Sequence, residues 1–190
     1  MSEPADVVVM DVVVIVGSLR KASLNLKIAK TLSSLAPKSL RLEIVPIGDL
    51  PLYNEELDAA PPESWRAFRE RVGRAKAVLF VTPEYNRSVP GVLKNAIDVG
   101  SRPYGKSAWK GKPAAVVSAS PGAIGGFGAN HHLRQSLVFL DMPVLQAPEA
   151  YLGHVGDWFD ANDAISNQKG KQFLQLIIDS FAAWIERVAQ

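Results

Sequence analysis

The chain has 190 residues, of which 47% are hydrophobic and 21% charged, with a formal net charge of +2 and no cysteine. This length fits one domain that buries roughly 70% of the surface of its unfolded chain. The absence of cysteine excludes disulfides, thiolate catalysis and iron–sulfur ligation, and is typical of a cytoplasmic protein. The near-neutral charge, with basic residues scattered along the chain, argues against nucleic acid as a partner and against an acidic electron carrier.

An apolar run opens the chain at residues 7–16. It contains Asp11, has no basic leader and runs into Gly17 and Ser18 rather than a cleavage site, so we do not expect a signal peptide. The run is also too short to span a bilayer as a helix, and we expect no membrane insertion. We predict a central strand at residues 12–16, preceded by a flexible tail at residues 1–6.

Strand and helix patterns then alternate to the end of the chain. Apolar and β-branched runs predict strands at residues 12–16, 40–46, 77–82, 114–118 and 144–146. Helical spacing of apolar residues predicts helices at about residues 24–35, 61–73, 91–99, 129–140 and 171–188. The alternation predicts an α/β fold in one domain, residues 1–190, with helices on both faces of a doubly wound, five-stranded parallel sheet. At this length we expect the flavodoxin-like order 2-1-3-4-5, which places a ligand crevice at the carboxyl ends of strands 1, 3 and 4.

The loop after the first strand, residues 17–25, has the composition of a phosphate site. It leads into a helix N-terminus, where free N–H groups and the helix dipole favour an anion. Ser18, Ser23 and Asn25 add neutral hydrogen-bonding groups, and Arg20 adds a guanidinium. The loop lacks the glycine patterns of dinucleotide and triphosphate sites, which favours a terminal monophosphate. The alternative is that Ser23 only caps the helix and Arg20 is solvated.

The loop after the third strand, residues 83–91, combines groups that can hold a flat heteroaromatic ring. Glu84, Tyr85 and Asn86 provide a carboxylate, an aromatic ring and an amide directly after Pro83. A structural alternative is a connection bounded by prolines, in which Asn86 or Ser88 caps the next helix and Tyr85 is packing or interface surface.

The loop after the fourth strand, residues 118–129, is rich in glycine. Its glycines allow close approach of the backbone to a ligand, or alternatively a flexible hinge. The candidate residues in this loop are Ser118, Ser120, Gly125 and Gly126. Because all three loops are predicted to meet at one edge of the sheet, a shared ligand site is the favoured interpretation.

The second loop, with the helix that follows it at residues 91–98, resembles the signature of the NAD(P)H-dependent FMN reductase family. This family includes the bacterial quinone and chromate reductases, and the similarity extends from about residue 12 to residue 145. The resemblance implies that the FMN phosphate is held by Ser18, Arg20, Ser23 and Asn25. It implies that the flavin ring and ribityl chain are contacted by Pro83, Glu84, Tyr85 and Asn86. It further implies that the flavin is bordered by Ser118, Ser120, Gly125 and Gly126.

Two further segments, residues 101–103 and 132–141, resemble the chromate- and quinone-reducing branch of the family. That resemblance implies that Arg102 lies near the flavin mouth and a subunit contact. His131 stands where some relatives carry a tyrosine and is a second candidate for the mouth. The family also implies a homodimer, or a homotetramer made of two dimers.

The implied activity is that of an FMN-dependent NAD(P)H oxidoreductase. Hydride would pass from NADPH or NADH through FMN to quinones, flavins or chromate by a ping-pong mechanism. No side chain need act as catalyst because the cofactor carries the chemistry. The histidines His131, His132 and His154 show no metal-ligand spacing, so we expect no metal.

The alternative is a non-enzymatic electron carrier of the flavodoxin type. Such carriers are strongly acidic around the flavin, whereas this chain has Arg20, Arg87 and Arg102 in or beside the loops. A phosphorylatable receiver-like domain would need an aspartate at the end of the third strand, where this chain has Thr82 and Pro83. The sequence therefore favours the enzyme.

Overall fold

The computed structural model of the protein describes residues 8–189. Its parallel strands are β1 (Met10–Val16), β2 (Leu40–Val45), β3 (Ala77–Thr82), β4 (Ala114–Ala119) and β5 (Ala150–Leu152). Its helices are α1 (Leu24–Leu35), α2 (Glu63–Arg74), α3 (Gly91–Gly100), α4 (Phe127–Phe139) and α5 (Gln168–Val188). Short 3₁₀ turns occur at Glu55–Leu57 and Val155–Trp158. The sheet order is β2-β1-β3-β4-β5, which confirms the predicted flavodoxin-like fold. The tail predicted at residues 1–6 lies outside the described residues.

Helices cover both faces of the sheet, and alternate residues of each central strand enter the two cores because they point in opposite directions. Val12 and Val14 of β1 pack in the core that α1 and α5 complete. Val13 and Ile15 pack in the core that α2, α3 and α4 complete. A strand buried on both faces needs apolar residues throughout, which explains the unbroken apolar runs in the sequence.

Helix bounds follow the local signals closely. The predicted helix at residues 24–35 is observed as α1, and its residues Ile28 and Leu32 are fully buried. Helix α5 begins three residues earlier than predicted, at Gln168, because the side chain of Asn167 caps it by accepting a hydrogen bond from the N–H of Gly170 at 2.9 Å.

The fifth strand was predicted at the wrong place, residues 144–146. Val144 forms only an isolated bridge with Ala114 at the start of β4. The chain then leaves the sheet and returns as Ala150–Leu152, which pairs with the last residues of β4. Pro148 lies in the intervening segment and has no N–H to donate to a ladder, so the edge strand is interrupted there.

Within residues 8–189, no helix combines the length and the apolar character that crossing a membrane requires.

Candidate functional site

The central strands end in register, which brings the three predicted loops to one edge of the sheet. Val16 of β1 pairs with Val81 of β3, and Thr82 pairs with Ser118 of β4. The loops enclose a cleft lined by Ser18, Arg20, Ser23, Leu24, Asn25, Pro83, Glu84, Tyr85, Ala119, Ser120 and Pro121. Eight of the twelve predicted cofactor-binding residues line this cleft. The other four, Asn86, Ser118, Gly125 and Gly126, do not.

Loop 1, residues 17–25, places polar groups at the N-terminus of α1. Ser23 is buried and caps the helix, its Oγ accepting a hydrogen bond from the N–H of Leu26 at 3.2 Å. The capping interpretation is therefore confirmed, but a hydroxyl that accepts through its oxygen keeps its hydrogen free to donate to a ligand. Arg20 is exposed at the cleft, where its guanidinium can reach an anion bound at the helix terminus.

Asn25 joins loop 1 to the end of β4. Its Nδ2 donates to the carbonyl oxygen of Ala119 at 3.1 Å, and the side chain is 4% exposed. Its Oδ1 is buried and has no hydrogen-bond partner among residues 8–189. A buried acceptor without a donor is costly, so this oxygen suits a ligand that brings an O–H group to the cleft. The ribityl chain of FMN carries such hydroxyls, whereas a fully ionised phosphate does not.

Loop 2, residues 83–90, folds into a tight hairpin. Tyr85 and Ser88 exchange backbone hydrogen bonds of 2.9 and 3.0 Å. Between them Asn86 and Arg87 have φ of 51° and 63°, the left-handed pair of a type I′ turn. Asparagine tolerates this conformation well, which explains Asn86 as a turn residue. The residue that precedes α3 as its N-cap is Pro90, so the alternative in which Asn86 or Ser88 caps this helix is wrong.

Glu84 connects loop 2 to the start of α4. Its Oε2 accepts a hydrogen bond from the N–H of Ala129 at 3.0 Å, and its Oε1 lies 3.3 Å from a guanidinium nitrogen of Arg87. A carboxylate placed against the N-terminus of a helix, as that of Glu84 is, is stabilised by the helix dipole. A second link joins His132 Nδ1 to Ser88 Oγ at 3.0 Å. Loop 2 is therefore fixed to the start of α4, which directly follows loop 3.

Loop 3, residues 120–126, needs its glycines for contacts within the protein. Gly125 has a φ of 65°, and a Cβ there would lie 2.5 Å from the carbonyl carbon of Tyr151. Gly126 has a φ of 76°, and a Cβ there would lie 3.0 Å from Cβ of Ser118. Ser120 lines the cleft, with its Oγ accepting from the N–H of Gly122 at 3.0 Å. These contacts within the protein are sufficient to account for the two left-handed glycines.

Ser118 does not reach the cleft. It is fully buried in β4, where its Oγ donates to the carbonyl of Ala150 at 3.3 Å and accepts from Asn130 Nδ2 at 3.2 Å. Its hydrogen-bonding capacity serves the pairing of β4 with β5. We therefore do not assign it a contact with the cofactor.

Arg102 also lies away from the cleft. It follows the C-terminal end of α3, about 15 Å along the helix from the end that meets loop 2. Its guanidinium carbon lies 5.9 Å from the ring centroid of Tyr53. Tyr53 in turn donates its hydroxyl to Asp58 at 2.8 Å, and burial, with help from this hydrogen bond, raises the pKa of Tyr53.

His131 belongs to an exposed aromatic group beside β5. Its Nε2 lies 2.9 Å from the hydroxyl of Tyr151, and its ring centroid lies 4.2 Å from that of Phe127. Burial, followed by a hydrogen bond to Glu149, raises the pKa of Tyr151. Within one chain, neither His131 nor Arg102 lines the mouth of the cleft.

A parallel sheet in the order 2-1-3-4-5, with a polar cleft where its central strands end, defines a flavodoxin-like protein. The chain belongs to the NADPH-dependent FMN reductase family, whose model matches residues 10–157. Its cofactor is FMN and its electron donor is a reduced nicotinamide dinucleotide. The cleft fits this cofactor, with a helix N-terminus and Arg20 for a phosphate and the unpartnered Oδ1 of Asn25 for a hydroxyl.

Curated relatives match nearly the whole chain. The chain is 66% identical over 179 residues to a quinone reductase of Pseudomonas putida, covering 94% of this chain and 96% of the relative. It is 46% identical over 176 residues to a 2-hydroxy-1,4-benzoquinone reductase of a Burkholderia species, covering 93% and 96%. Among solved structures, FerB, a flavoenzyme NAD(P)H:(acceptor) oxidoreductase of Paracoccus denitrificans, matches with a TM-score of 0.89 at 46% identity, covering 94% of this chain and 98% of FerB.

Proposed function

We propose that this protein is a quinone reductase that transfers two electrons from NAD(P)H to a quinone at its FMN-binding cleft. The observation that carries this proposal is the cleft itself, where three loops bring a helix N-terminus, an arginine and an unpartnered amide oxygen to one place. The names of the relatives at 66% and 46% identity support a quinone as the acceptor. The net reaction takes a hydride from the donor and a proton from solvent, and yields the hydroquinone.

The residues of loop 1 would hold the phosphate group and the ribityl chain of FMN. We assign the phosphate to the N-terminus of α1, with Ser18, Arg20 and the free hydroxyl hydrogen of Ser23 as donors. We assign Asn25 Oδ1 as the acceptor for a ribityl hydroxyl, because its amide nitrogen is already engaged by Ala119. Bound there, FMN supplies the hydride acceptor and two-electron donor that the protein lacks.

Loop 2 and Ser120 would position the flavin ring. Tyr85 is 51% exposed at the cleft, so it leaves an apolar surface open to a planar ligand. Pro83, Glu84 and Ser120 complete the wall, while Asn86, Gly125 and Gly126 shape the loops that carry it. Donor and acceptor would occupy the open side of the cleft in turn, which is a ping-pong order. We also propose free flavins and chromate as electron acceptors of this protein.

A flavodoxin-type carrier is the second candidate, and family membership argues against it. The match to NADPH-dependent FMN reductases covers residues 10–157, and the chain carries a net charge of +2 rather than the strong negative charge of such carriers. Neither the loops nor the charge favours an electron carrier.

Anaerobic rapid mixing of the FMN-loaded protein tests the proposal. The flavin should be reduced by NADPH or NADH in one two-electron step, and then reoxidised by benzoquinone faster than by free FMN or chromate. Parallel lines in double-reciprocal plots are expected for the ping-pong order. A long-lived one-electron state, or a quinone rate no higher than that of free FMN, would contradict the proposed activity.

We also propose one domain over residues 1–190, a cytoplasmic location and assembly into a homodimer or homotetramer. Exposed apolar side chains support self-association, since Val138 and Phe139 at the end of α4 are 75% and 88% exposed. The absence of cysteine is compatible with the cytoplasm. Sedimentation equilibrium of the FMN-loaded protein measures the assembly, and a monomer at micromolar concentration would contradict it.

A further inference from the structure

A second concavity, which we call the lysine groove, lies beside the FMN cleft. It runs between α1 and the segment at residues 163–171, and four lysines line it: Lys21, Lys27, Lys30 and Lys171. Its volume is about 510 Å³, within the range of small-ligand sites. Ser23 lines both the groove and the cleft, so the two sites adjoin at the N-terminus of α1.

The groove concentrates positive charge. Among the described residues that line it, Asp163 is the one carboxylate, and it forms an ion pair with Lys27. Within residues 8–189, Lys21, Lys30 and Lys171 have no carboxylate at ion-pair distance. Four lysines and one aspartate give the groove a formal charge of +3, which exceeds the +2 of the whole chain. The groove is therefore suited to a multiply charged anion.

Two local features of the groove favour an anion as its ligand. Lys171 lies in the first turn of α5, a turn that contains no acidic residue, although the positive end of a helix dipole favours anions. The hydroxyls of Thr31 and Ser34 donate to the backbone carbonyls of Lys27 and Thr31. Apart from the hydroxyl of Ser23, which we assign to the FMN phosphate, the side-chain donors that remain are the lysine ammonium groups, which suit phosphate oxygens.

We propose that the lysine groove binds the phosphorylated adenosine end of NADPH. This inference rests on the proposed function, because it places the nicotinamide end of the donor at the FMN cleft. A dinucleotide carries its nicotinamide and adenosine at opposite ends, so the adenosine must lie on a surface that adjoins the cleft. The groove adjoins the cleft at Ser23 and offers cations that can pair with the 2′-phosphate of NADPH. NADH has no such phosphate and does not need these cations. The groove thus selects NADPH over NADH.

Charge reversal tests this selectivity. In the double variant Lys30→Glu with Lys171→Glu, the KM for NADPH should rise at least roughly tenfold, because two charge-assisted contacts are replaced by repulsion. The KM for NADH should change far less, and kcat should be preserved. The matched control is Lys106→Glu with Lys110→Glu, which makes the same charge change at two exposed lysines outside the groove. Equal changes for NADPH and NADH, or equal effects of the two double variants, would overturn the proposal.

Binding measured without turnover separates the groove from the proposed activity. Calorimetric titration of the FMN-loaded protein with adenosine 2′,5′-bisphosphate should show binding that competes with NADPH and is lost in the Lys30→Glu, Lys171→Glu variant. Binding of inorganic phosphate at the same affinity would show a general anion site and overturn the assignment to NADPH. Quinone reduction without bisphosphate binding would overturn the groove alone. Bisphosphate binding without quinone reduction would support the groove and contradict the proposed function.

Discussion

The carboxylate of Glu84 accepts a hydrogen bond from the backbone N–H of Ala129 at 3.0 Å, across 45 residues of sequence. This contact joins the hairpin after β3 to the first turn of α4. In this position the side chain of Glu84 is 14% exposed. The second loop is therefore anchored on α4, the helix that the third loop leads into.

Replacement of Glu84 should show how much this link stabilises the fold. Glu84→Ala leaves the N–H of Ala129 without its acceptor and should lower the free energy of unfolding by about 1–3 kcal/mol. Glu84→Gln keeps an acceptor and loses the interaction of the charge with the helix dipole, about 0.3–1 kcal/mol, together with the solvent-screened ion pair to Arg87, which contributes little. Urea denaturation of both variants measures the difference. Equal losses for alanine and glutamine would show that the hydrogen bond contributes nothing.

Arg87→Gly should stabilise the protein. Arg87 has a φ of 63°, a conformation that costs a residue with a Cβ roughly 1–2 kcal/mol relative to glycine. Part of that gain is offset by the greater freedom of glycine in the unfolded chain, so we expect a net gain of about 0.5–1 kcal/mol. Asn86→Gly is the control, because asparagine already tolerates its φ of 51°. Thermal unfolding of the two variants decides, and a lower melting temperature for Arg87→Gly would refute the strain.

Asn25→Ala should weaken FMN binding more than it destabilises the FMN-free protein. The substitution removes the hydrogen bond to Ala119 but also removes the unpartnered Oδ1, so the FMN-free protein should lose only about 1 kcal/mol. With FMN, the contact to a ribityl hydroxyl is lost as well, and Kd should rise about 2- to 10-fold. Quenching of flavin fluorescence measures Kd. An unchanged Kd would show that Asn25 Oδ1 does not contact the cofactor.

Arg20→Ala should release FMN, and Arg102→Ala should not. A charge-assisted hydrogen bond contributes about 1.5–3 kcal/mol, so loss of Arg20 should raise the Kd of FMN about 10- to 150-fold. Arg102 packs over Tyr53 beyond the C-terminal end of α3, and its loss should change Kd less than about twofold. Equilibrium dialysis with each variant measures FMN retention. Equal retention would argue against the phosphate site at α1.

At alkaline pH, the free energy of unfolding should fall less in Tyr53→Phe than in the unsubstituted protein. The pKa of Tyr53 is raised in the folded protein, so the stability from its neutral hydroxyl is present below the unfolded pKa of about 10 and is lost as pH rises through the folded pKa. At neutral pH, Tyr53→Phe should be less stable by about 1 kcal/mol, because the hydrogen bond to Asp58 is absent. Above pH 10 this difference should shrink, as urea denaturation at pH 7–11 will show. A difference that grows with pH would contradict the direction of the shift.

The sequence predicted the architecture well because the pattern of apolar residues within a segment indicates whether that segment is buried. Residues 77–82 form an unbroken apolar run, and the observed strand β3 has those bounds. Two apolar segments follow α4, at residues 143–146 and 150–152, and local pattern does not distinguish them. Pairing with the end of β4 selects the second segment as β5. That selection depends on contacts between distant residues, so the sequence alone misplaced the strand.

By itself, the sequence determined the α/β class and the three loops that line the cleft, because periodicity and composition report which segments are buried. The strand order was an expectation from the length of the chain, and strand pairing in the structure confirmed it. Only the tertiary structure decided which loop residues reach the cleft. Ser118 and Ser120 are only two positions apart. The hydroxyl of Ser118 is hydrogen-bonded to Ala150 of β5, whereas Ser120 lines the wall of the cleft. The tertiary structure likewise left Asn25 Oδ1 without a partner and gathered four lysines into one groove. Hydrogen bonds and charges between distant segments are satisfied only when the chain is packed, and no local pattern records them.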